Sequence, residues 1–135
     1  MPSLDFDNII LYDAAKAGIT IDVEIRLGNL SANFEAKIDT GAEACIFERT
    51  YGEQIGIEIE SGELQIFSTA TSPFKTYGHS ITLITAEYQF DSYVFFAADE
   101  NFRKNVLGRY GWLNRVIVGI NDYDGKLYLS RYENE

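Results

Sequence analysis

The sequence predicts an all-β protein with one or two short helices, on three observations. Apolar residues occupy every second position from Ile19 to Leu27, and polar or charged residues fill the positions between them. This period of two is typical of a strand with one buried face. Aromatic residues make up 14% of the chain, and they suit a pleated, half-buried surface. Further short apolar runs are separated by turns, which favours a β-rich fold.

The chain continues as a series of predicted strands and turns. Residues 19–27 form the firmest strand, Gly28-Asn29 supplies the turn, and residues 33–38 return as the second strand, so this hairpin ends by presenting Asp39. The other apolar runs are also predicted as strands: residues 9–11, 64–68, 81–84, 88–96, 105–107, 116–120 and 126–129.

Two short helical segments and a long hairpin tip lie between these strands. Residues 47–56 are largely polar and end in glycine, which predicts a short helix with a glycine stop. Residues 109–115 are predicted to make one or two helical turns, with Trp112 and Leu113 facing inward. Residues 69–78 are small and polar with one Pro and one Gly, which predicts a long hairpin tip.

Length and charge restrict the classes of partner. At 135 residues the chain is predicted to be a single domain over residues 1–135, long enough to bury a core. Its formal net charge is −10, which repels phosphate backbones and anionic membrane surfaces. We therefore expect neither nucleic acid nor a membrane as a partner. The charge favours cationic or neutral ligands, or it serves solubility alone.

The few reactive side chains exclude several kinds of site. Cys45 is the single cysteine, so it forms no internal disulfide, and its apolar surroundings predict a small buried residue. His79 is the single histidine, without a Ser or Cys neighbour that would suggest a triad, and we expect it at a solvated turn. No Cys/His spacing predicts a metal site. The chain lacks a leader-like start and an apolar run of about 20 residues, which predicts a cytoplasmic protein.

Two glycine-containing stretches follow strand ends. Asp39-Thr40-Gly41 follows residues 33–38, where the Asp side chain can hydrogen-bond the backbone and Gly41 permits close approach of another segment. Taken alone, an Asx-type turn explains this tripeptide. Far downstream, Val106-Leu107-Gly108-Arg109 is a second apolar strand end that runs through glycine, and Gly111-Trp112-Leu113 follows it.

Together, Asp39-Thr40-Gly41-Ala42 and Val106-Leu107-Gly108-Arg109 resemble the retropepsin family, the single-domain aspartic proteases related to the retroviral enzyme. The resemblance covers about residues 19–129. It is closest to the non-viral retropepsin-like domains of bacteria, in which Gly and an aromatic residue follow the Gly-Arg pair, as Gly111-Trp112 does here. The family implies a closed, acid-protease β-barrel and a peptidase that needs no cofactor.

The resemblance also implies a role for each matching residue. The implied site consists of the catalytic Asp39; the loop-supporting Thr40, Gly41 and Ala42; the substrate-binding Glu43, Thr71, Ser72, Pro73 and Phe74; and the structural Gly108 and Arg109 of the second motif. The last four substrate-binding residues lie where the family has its flap, the hairpin over bound peptide. Pro73 and Phe74 depart from the glycine-rich viral tip, and Glu43 is longer than the aspartate that contacts substrate in viral enzymes.

Peptide hydrolysis by carboxylates needs two of them sharing a water, one protonated and one ionised. The sequence contains one Asp-Thr-Gly and no second Asp-Thr/Ser-Gly, so each chain supplies half a site. A two-fold homodimer that pairs Asp39 with its copy would complete the site. We therefore expect a homodimeric aspartic endopeptidase that cleaves an extended peptide.

Two alternatives stay open at this point. One keeps the fold without the reaction, as a catalytically weak or inactive module for peptide binding or dimerisation, and the altered flap and Glu43 favour it. The other is an unrelated β-barrel that carries small ligands, which requires an exposed and unpaired Asp39.

Overall fold

A computed structural model describes residues 1–132. The strands of this part of the chain are β1 Asn8–Leu11, β2 Thr20–Leu27, β3 Leu30–Ile38, β4 Ile46–Phe47, β5 Glu63–Ser68, β6 Pro73–Thr85, β7 Tyr88–Ala97, β8 Val106–Leu107, β9 Val116–Asn121 and β10 Lys126–Arg131. The helices are α1 Arg49–Gln54 and two single-turn 3-10 helices, Ile59–Ser61 and Leu113–Arg115. The prediction of an all-β fold with short helices is confirmed.

Most strands belong to a seven-stranded sheet with the order β2-β3-β8-β4-β7-β6-β5. Because β2 also pairs with β6, six of these strands close into a ring, and β5 remains outside it as the partner of β6. Pairing is antiparallel except between β3 and β8 and between β4 and β7. The second sheet, β1-β10-β9, is antiparallel and joins the two ends of the described chain.

The core lies inside the ring and follows the alternation seen in the sequence. Ile21, Val23 and Ile25 on β2 are all buried, while the residues between them are partly or fully exposed. Trp112 is fully buried as predicted, and its indole N–H donates to the Thr85 hydroxyl at 2.9 Å. A fully buried Val or Ile side chain contributes about 1.5–3 kcal/mol of hydrophobic free energy. The core therefore fixes the second helical segment next to the ring.

The first helix is shorter than predicted. Residues 47 and 48 precede it, and α1 spans Arg49–Gln54. Phe47 belongs to β4, where it pairs with Phe96 and is fully buried, so strand pairing and burial overrode the local helical pattern. The predicted glycine stop is confirmed, because Gly56 follows the helix with φ of 87°.

The predicted hairpin tip is also shorter, which corrects the expectation for residues 69–78. The turn occupies only residues 69–72, since Ser68 already pairs with Pro73. The Thr69 N–H donates to the Ser72 carbonyl at 2.9 Å, and the Thr69 hydroxyl accepts from the Ser72 N–H at 3.1 Å. Pro73 is tolerated because it begins the strand. The hairpin arm formed by residues 63–78, called the flap below, is thus paired almost to its end.

The single cysteine and the single histidine lie in different environments. Cys45 is fully buried, as predicted. His79 is not at a solvated turn: it lies within β6, partly buried, with Nε2 2.8 Å from the Ile59 carbonyl oxygen. This contact ties the flap base to the first 3-10 helix. Among the described residues, no helix is long and apolar enough to cross a membrane.

Candidate active site

Asp39 is held where β3 ends. Its N–H donates to the Leu107 carbonyl at 3.0 Å, which continues the parallel pairing of β3 with β8. Its own carbonyl accepts from the Ala42 N–H at 3.1 Å, so the chain turns sharply over the next residues. Asp39 itself is half-buried. Strand pairing on one side and a turn on the other therefore fix the backbone of this residue.

The Asp39 carboxylate is fixed by the turn as well. Its Oδ1 accepts from the Gly41 N–H at 2.9 Å, which is the side-chain-to-backbone turn that the sequence predicts. Thr40, between these two residues, is exposed.

The two sequence motifs are neighbours in space. The Arg109 N–H donates to the Ala42 carbonyl at 2.9 Å, and the Tyr110 N–H donates to the Glu43 carbonyl at 2.9 Å. Gly108, which precedes these two residues, has no room for a side chain, because a Cβ atom there would overlap the Ala44 carbonyl oxygen. The second motif thus holds the Asp39 loop in place through these backbone hydrogen bonds and this close contact.

A cleft of about 370 Å³ opens above this loop. Its floor contains Asp39, Gly41, Ala42 and Glu43. The flap covers it from one side, and the segment that leads into β8 bounds the other; the remaining lining residues are Ile46, Phe67, Ser68, Thr69, Phe74, Phe102, Lys104 and Val106. A carboxylate therefore lies at the bottom of a cleft with largely apolar walls and a few polar groups.

Solved structures share this arrangement of strands at low sequence identity. A retropepsin-like aspartic protease from Rickettsia conorii matches with a TM-score of 0.61 and 16% identity over 96% of each chain. The EIAV protease complexed with the inhibitor HBY-793 matches with a TM-score of 0.56 and 16% identity, over 74% of this chain and 88% of that one. The chain has the retropepsin fold. No family model and no curated protein matches it.

The retropepsin fold excludes the alternative of an unrelated β-barrel. It also accounts for the order of the two motifs, because β3 and β8 lie side by side although about seventy residues separate them in the chain. Asp39 and Gly108 directly follow these two strands. The sequence positions that matched the family motifs are therefore adjacent in the folded chain.

The predicted substrate-binding residues divide into two groups. Glu43 and Phe74 line the cleft. Thr71, Ser72 and Pro73 do not; they are exposed at the end of the flap. Within one chain, the flap therefore lines the cleft with residues next to its turn, and the three exposed residues of the tip lie beyond it.

Several lining residues were missed by sequence reasoning. Phe102 and Lys104 lie between the predicted strands 88–96 and 105–107, where the sequence predicts no site residue, and Phe67, Ser68 and Thr69 precede the predicted flap residues. The sequence carried no signal for the first two, because their segment reaches the cleft through the pairing of β3 with β8, in which Lys37 pairs with Val106.

Aromatic rings connect the flap to its surroundings. Phe74 and Phe102 stack with their centroids 5.0 Å apart, and Phe67 contacts Phe74 at 6.1 Å and Phe95 at 5.2 Å. Such pairs contribute about 0.5–1.5 kcal/mol beyond their buried area. The series Phe102, Phe74, Phe67 and Phe95, called the aromatic series below, thus joins the segment before β8, the flap and β7 across the cleft.

Neither the nearby Cys45 thiol nor a metal site offers an alternative chemistry within residues 1–132. Burial raises the pKa of the Cys45 thiol to about 12, so it remains protonated and is a poor nucleophile. Among residues 1–132, no group of three or more His, Cys, Asp and Glu side chains could hold a metal ion. Asp39 and Glu43 are the carboxylates that line the cleft.

Proposed function

We propose that this protein is an aspartic endopeptidase that acts as a homodimer of a single retropepsin-like domain. One observation carries the proposal: the Asp39 carboxylate, held by the Gly41 N–H at 2.9 Å, lies on the floor of a cleft in a retropepsin fold. The sequence has one Asp-Thr-Gly, so a second copy must supply the other carboxylate. The two solved structures named above are described as proteases, which supports the same activity.

In the proposed mechanism, the two Asp39 side chains share one proton across the two-fold axis. Two carboxylates about 3 Å apart do not both ionise, because like charges repel at that distance. The ionised Asp39 takes a proton from a bound water as the water oxygen attacks the peptide carbonyl carbon. The protonated Asp39 donates its proton to the carbonyl oxygen. The tetrahedral intermediate then breaks its C–N bond as a proton passes to the leaving amine.

The other predicted residues take supporting roles in this proposal. Thr40 is exposed beside Asp39 and would brace the two loops across the dimer, while Gly41 and Ala42 hold the turn through their N–H groups. Gly108 and Arg109 support that loop from below.

The substrate would lie as an extended strand between the Asp39 pair and the flaps. Glu43 and Phe74 line the cleft of each chain. Thr71, Ser72 and Pro73 at the end of the flap would contact peptide in the dimer, where each flap extends toward the axis.

The first test measures the oligomeric state and the cleavage of peptides on the same samples. Sedimentation across a dilution series of wild type and Asp39→Asn is followed by incubation with a mixed peptide library. We expect both proteins to dimerise and only the wild type to cleave. Asp22→Asn is the matched control, because Asp22 is an exposed carboxylate on β2. Cleavage by Asp39→Asn equal to wild type, or a strict monomer that cleaves, would refute the proposal.

A second function, peptide binding without turnover, is favoured by one observation. The stacked Phe74 and Phe102 rings both line the cleft and narrow it above Asp39. A dimer that binds library peptides but cleaves none at any pH from ~3 to ~7, the range in which such carboxylate pairs titrate, would support this function instead.

A further inference from the structure

A second cavity of about 440 Å³ adjoins the Asp39 cleft. The two share Glu43 and Phe67, so a peptide that leaves the cleft past Glu43 reaches this cavity next. We call it the outer pocket. Its other lining residues are Ala44, Gln65, Asp91, Ser92, Tyr93, Phe95, Tyr110, Gly111, Asn114 and Arg115.

Aromatic rings form much of the wall of the outer pocket. Tyr93 and Phe95 meet edge to face with centroids 5.3 Å apart, and Phe67 meets Phe95 at 5.2 Å. The Tyr93 ring lies flat across the neighbouring strand at Gly78, where a Cβ atom would overlap the Tyr93 hydroxyl. Tyr110, another lining residue, is 61% exposed. The pocket thus presents ring faces and edges that a long side chain can pack against.

Carboxylates lie at both ends of this wall. Glu43 lies at the boundary with the Asp39 cleft, and Asp91 lies at the outer end; both residues are exposed. A nearby carboxylate, Glu63, approaches the Tyr93 hydroxyl and, after burial, is the next cause that raises the Tyr93 pKa. The guanidinium of Arg115 donates to the Asp91 carbonyl oxygen at 2.8 Å and lies 4.5 Å from the Phe90 ring centroid. Acidic side chains therefore outnumber basic ones around the pocket.

We propose that the outer pocket binds a Lys or Arg side chain of the peptide substrate, at a position outside the residues that flank the scissile bond. A cation packs favourably against Tyr and Phe rings, and its head group gains charge-assisted hydrogen bonds with carboxylates. The long apolar stem of such a side chain suits the aromatic wall. This inference rests on the proposed function, because the occupant belongs to the same extended peptide.

The inner cleft and the outer pocket are each lined by two carboxylates and one basic side chain, but the Arg115 guanidinium of the outer pocket is already hydrogen-bonded to the Asp91 carbonyl oxygen. Lys104 lines the Asp39 cleft and is absent from the lining of the outer pocket. A basic substrate side chain beside Lys104 would be repelled, whereas the same side chain beyond Glu43 would meet carboxylates. The protein as a whole carries a formal charge of −10, which attracts basic peptides over longer distances. The preference for Lys or Arg should therefore appear at one outer position and not along the whole peptide.

The test uses direct binding, so that it does not depend on turnover. Asp39→Asn is titrated with labelled ten-residue peptides that carry Lys, Gln or Glu at one position, moved step by step along the peptide. We expect Lys to bind about tenfold more tightly than Gln at a single outer position, which corresponds to one cation–π contact plus one charged hydrogen bond at a partly exposed site. In Asp91→Asn this ratio should fall to about threefold or less, and in Asp91→Lys Glu should become preferred over Lys.

Asp22→Asn, an exposed carboxylate outside both cavities, is the matched control and should keep the full preference for Lys. Equal binding of Lys and Gln peptides at every position, or a preference that survives both Asp91 variants, would overturn the inference. The two proposals fail separately. Position-specific Lys binding without cleavage by the wild type would remove the peptidase and keep the pocket, whereas cleavage without any Lys preference would remove the pocket alone.

Discussion

Gly108 shows how a single residue position supports the site. A Cβ atom there would overlap the carbonyl oxygen of Ala44, and backbone atoms cannot rotate away as a flexible side chain can. We expect Gly108→Ala to lower the free energy of unfolding by about 1–3 kcal/mol, as overpacking does. It should also displace the loop that holds Asp39, so peptide cleavage should fall more than stability alone explains. Urea unfolding and peptide cleavage measure the two effects.

Gly28→Ala is the matched control for this substitution. Gly28 has φ of 61°, but no heavy atom lies within 4 Å of the point that a Cβ atom would occupy, so its replacement costs only backbone strain of about 1 kcal/mol. Its cleavage activity should stay at the wild-type level. Equal stability and equal cleavage in the two variants would contradict the close approach of Gly108 to the Asp39 loop.

Cys45 gives a prediction about pH. Burial raises its pKa from 9.0 to about 12. In the unfolded chain the thiol ionises above about pH 9, but in the folded chain it stays neutral, so the folded state loses stability as the pH rises from about 9 toward 12. The expected loss from this group is about 1.4 kcal/mol per pH unit. Urea unfolding at several pH values measures it.

Cys45→Ala isolates this contribution, because tyrosines and lysines also titrate in that range. The variant should be less stable at neutral pH, since it leaves a cavity, but its unfolding free energy should decline less steeply above about pH 9. Identical slopes for wild type and variant would show that the thiol is accessible in the folded protein.

At the scale of elements, the flap is held by the aromatic series. We expect Phe74 to move relative to Phe102 when a peptide binds above Asp39, because both rings line the cleft and stack at 5.0 Å. The Phe74–Phe102 stack contributes about 0.5–1.5 kcal/mol, so its removal should raise the rate constant for peptide association roughly twofold to tenfold. We therefore expect Phe102→Ala in the Asp39→Asn background to bind peptide faster, as measured by stopped-flow fluorescence.

Tyr123→Ala serves as the control for this experiment. Tyr123 is 87% exposed in the turn between β9 and β10, outside both cavities. Its association rate should equal that of the parent. A slower association in Phe102→Ala would mean that Phe102 mainly contacts the bound peptide instead of closing the empty cleft.

The local sequence pattern correctly predicted elements that have one buried and one exposed face. The alternation on β2 and the turn after it are correct because one face of that strand is buried and the other exposed. Phe47 and His79 were placed wrongly for a common reason. Their positions depend on strand partners distant in the chain, Phe96 for the first and the strand containing Val94 for the second. Period and propensity carry no information about such partners.

The site was predictable to a similar degree. The resemblance to the retropepsin motifs selected Asp39, Gly41 and Gly108, and the structure places these residues in adjacent loops. Phe102 and Lys104 could not be identified, because any residue of suitable size can line a cleft, and only the pairing of β3 with β8 brings their segment over the loop. The outer pocket could not be predicted for the same reason. Its walls come from β5, β7 and the segment after Gly108, which meet only in the folded chain.

At the scale of the whole molecule, charge opposes the assembly that the proposed activity requires. Each chain carries a formal charge of −10, so two chains repel each other as they approach, and pairing the Asp39 carboxylates adds a local repulsion. Added salt screens such repulsion, with a Debye length of about 10 Å at 0.1 M and shorter at higher concentration. The dimer dissociation constant should therefore fall severalfold between about 0.05 and 0.5 M sodium chloride.

Sedimentation equilibrium on wild type and Asp39→Asn measures both contributions to this repulsion. The variant should form the tighter dimer at neutral pH, because two neutral amides meet at the axis without the charge repulsion of two carboxylates, while Asp22→Asn removes a charge from an exposed strand surface and should change the constant less. Weaker association at high salt would instead indicate an interface held by pairs of opposite charge. In that case the excess of acidic side chains lies away from the contact between the two chains.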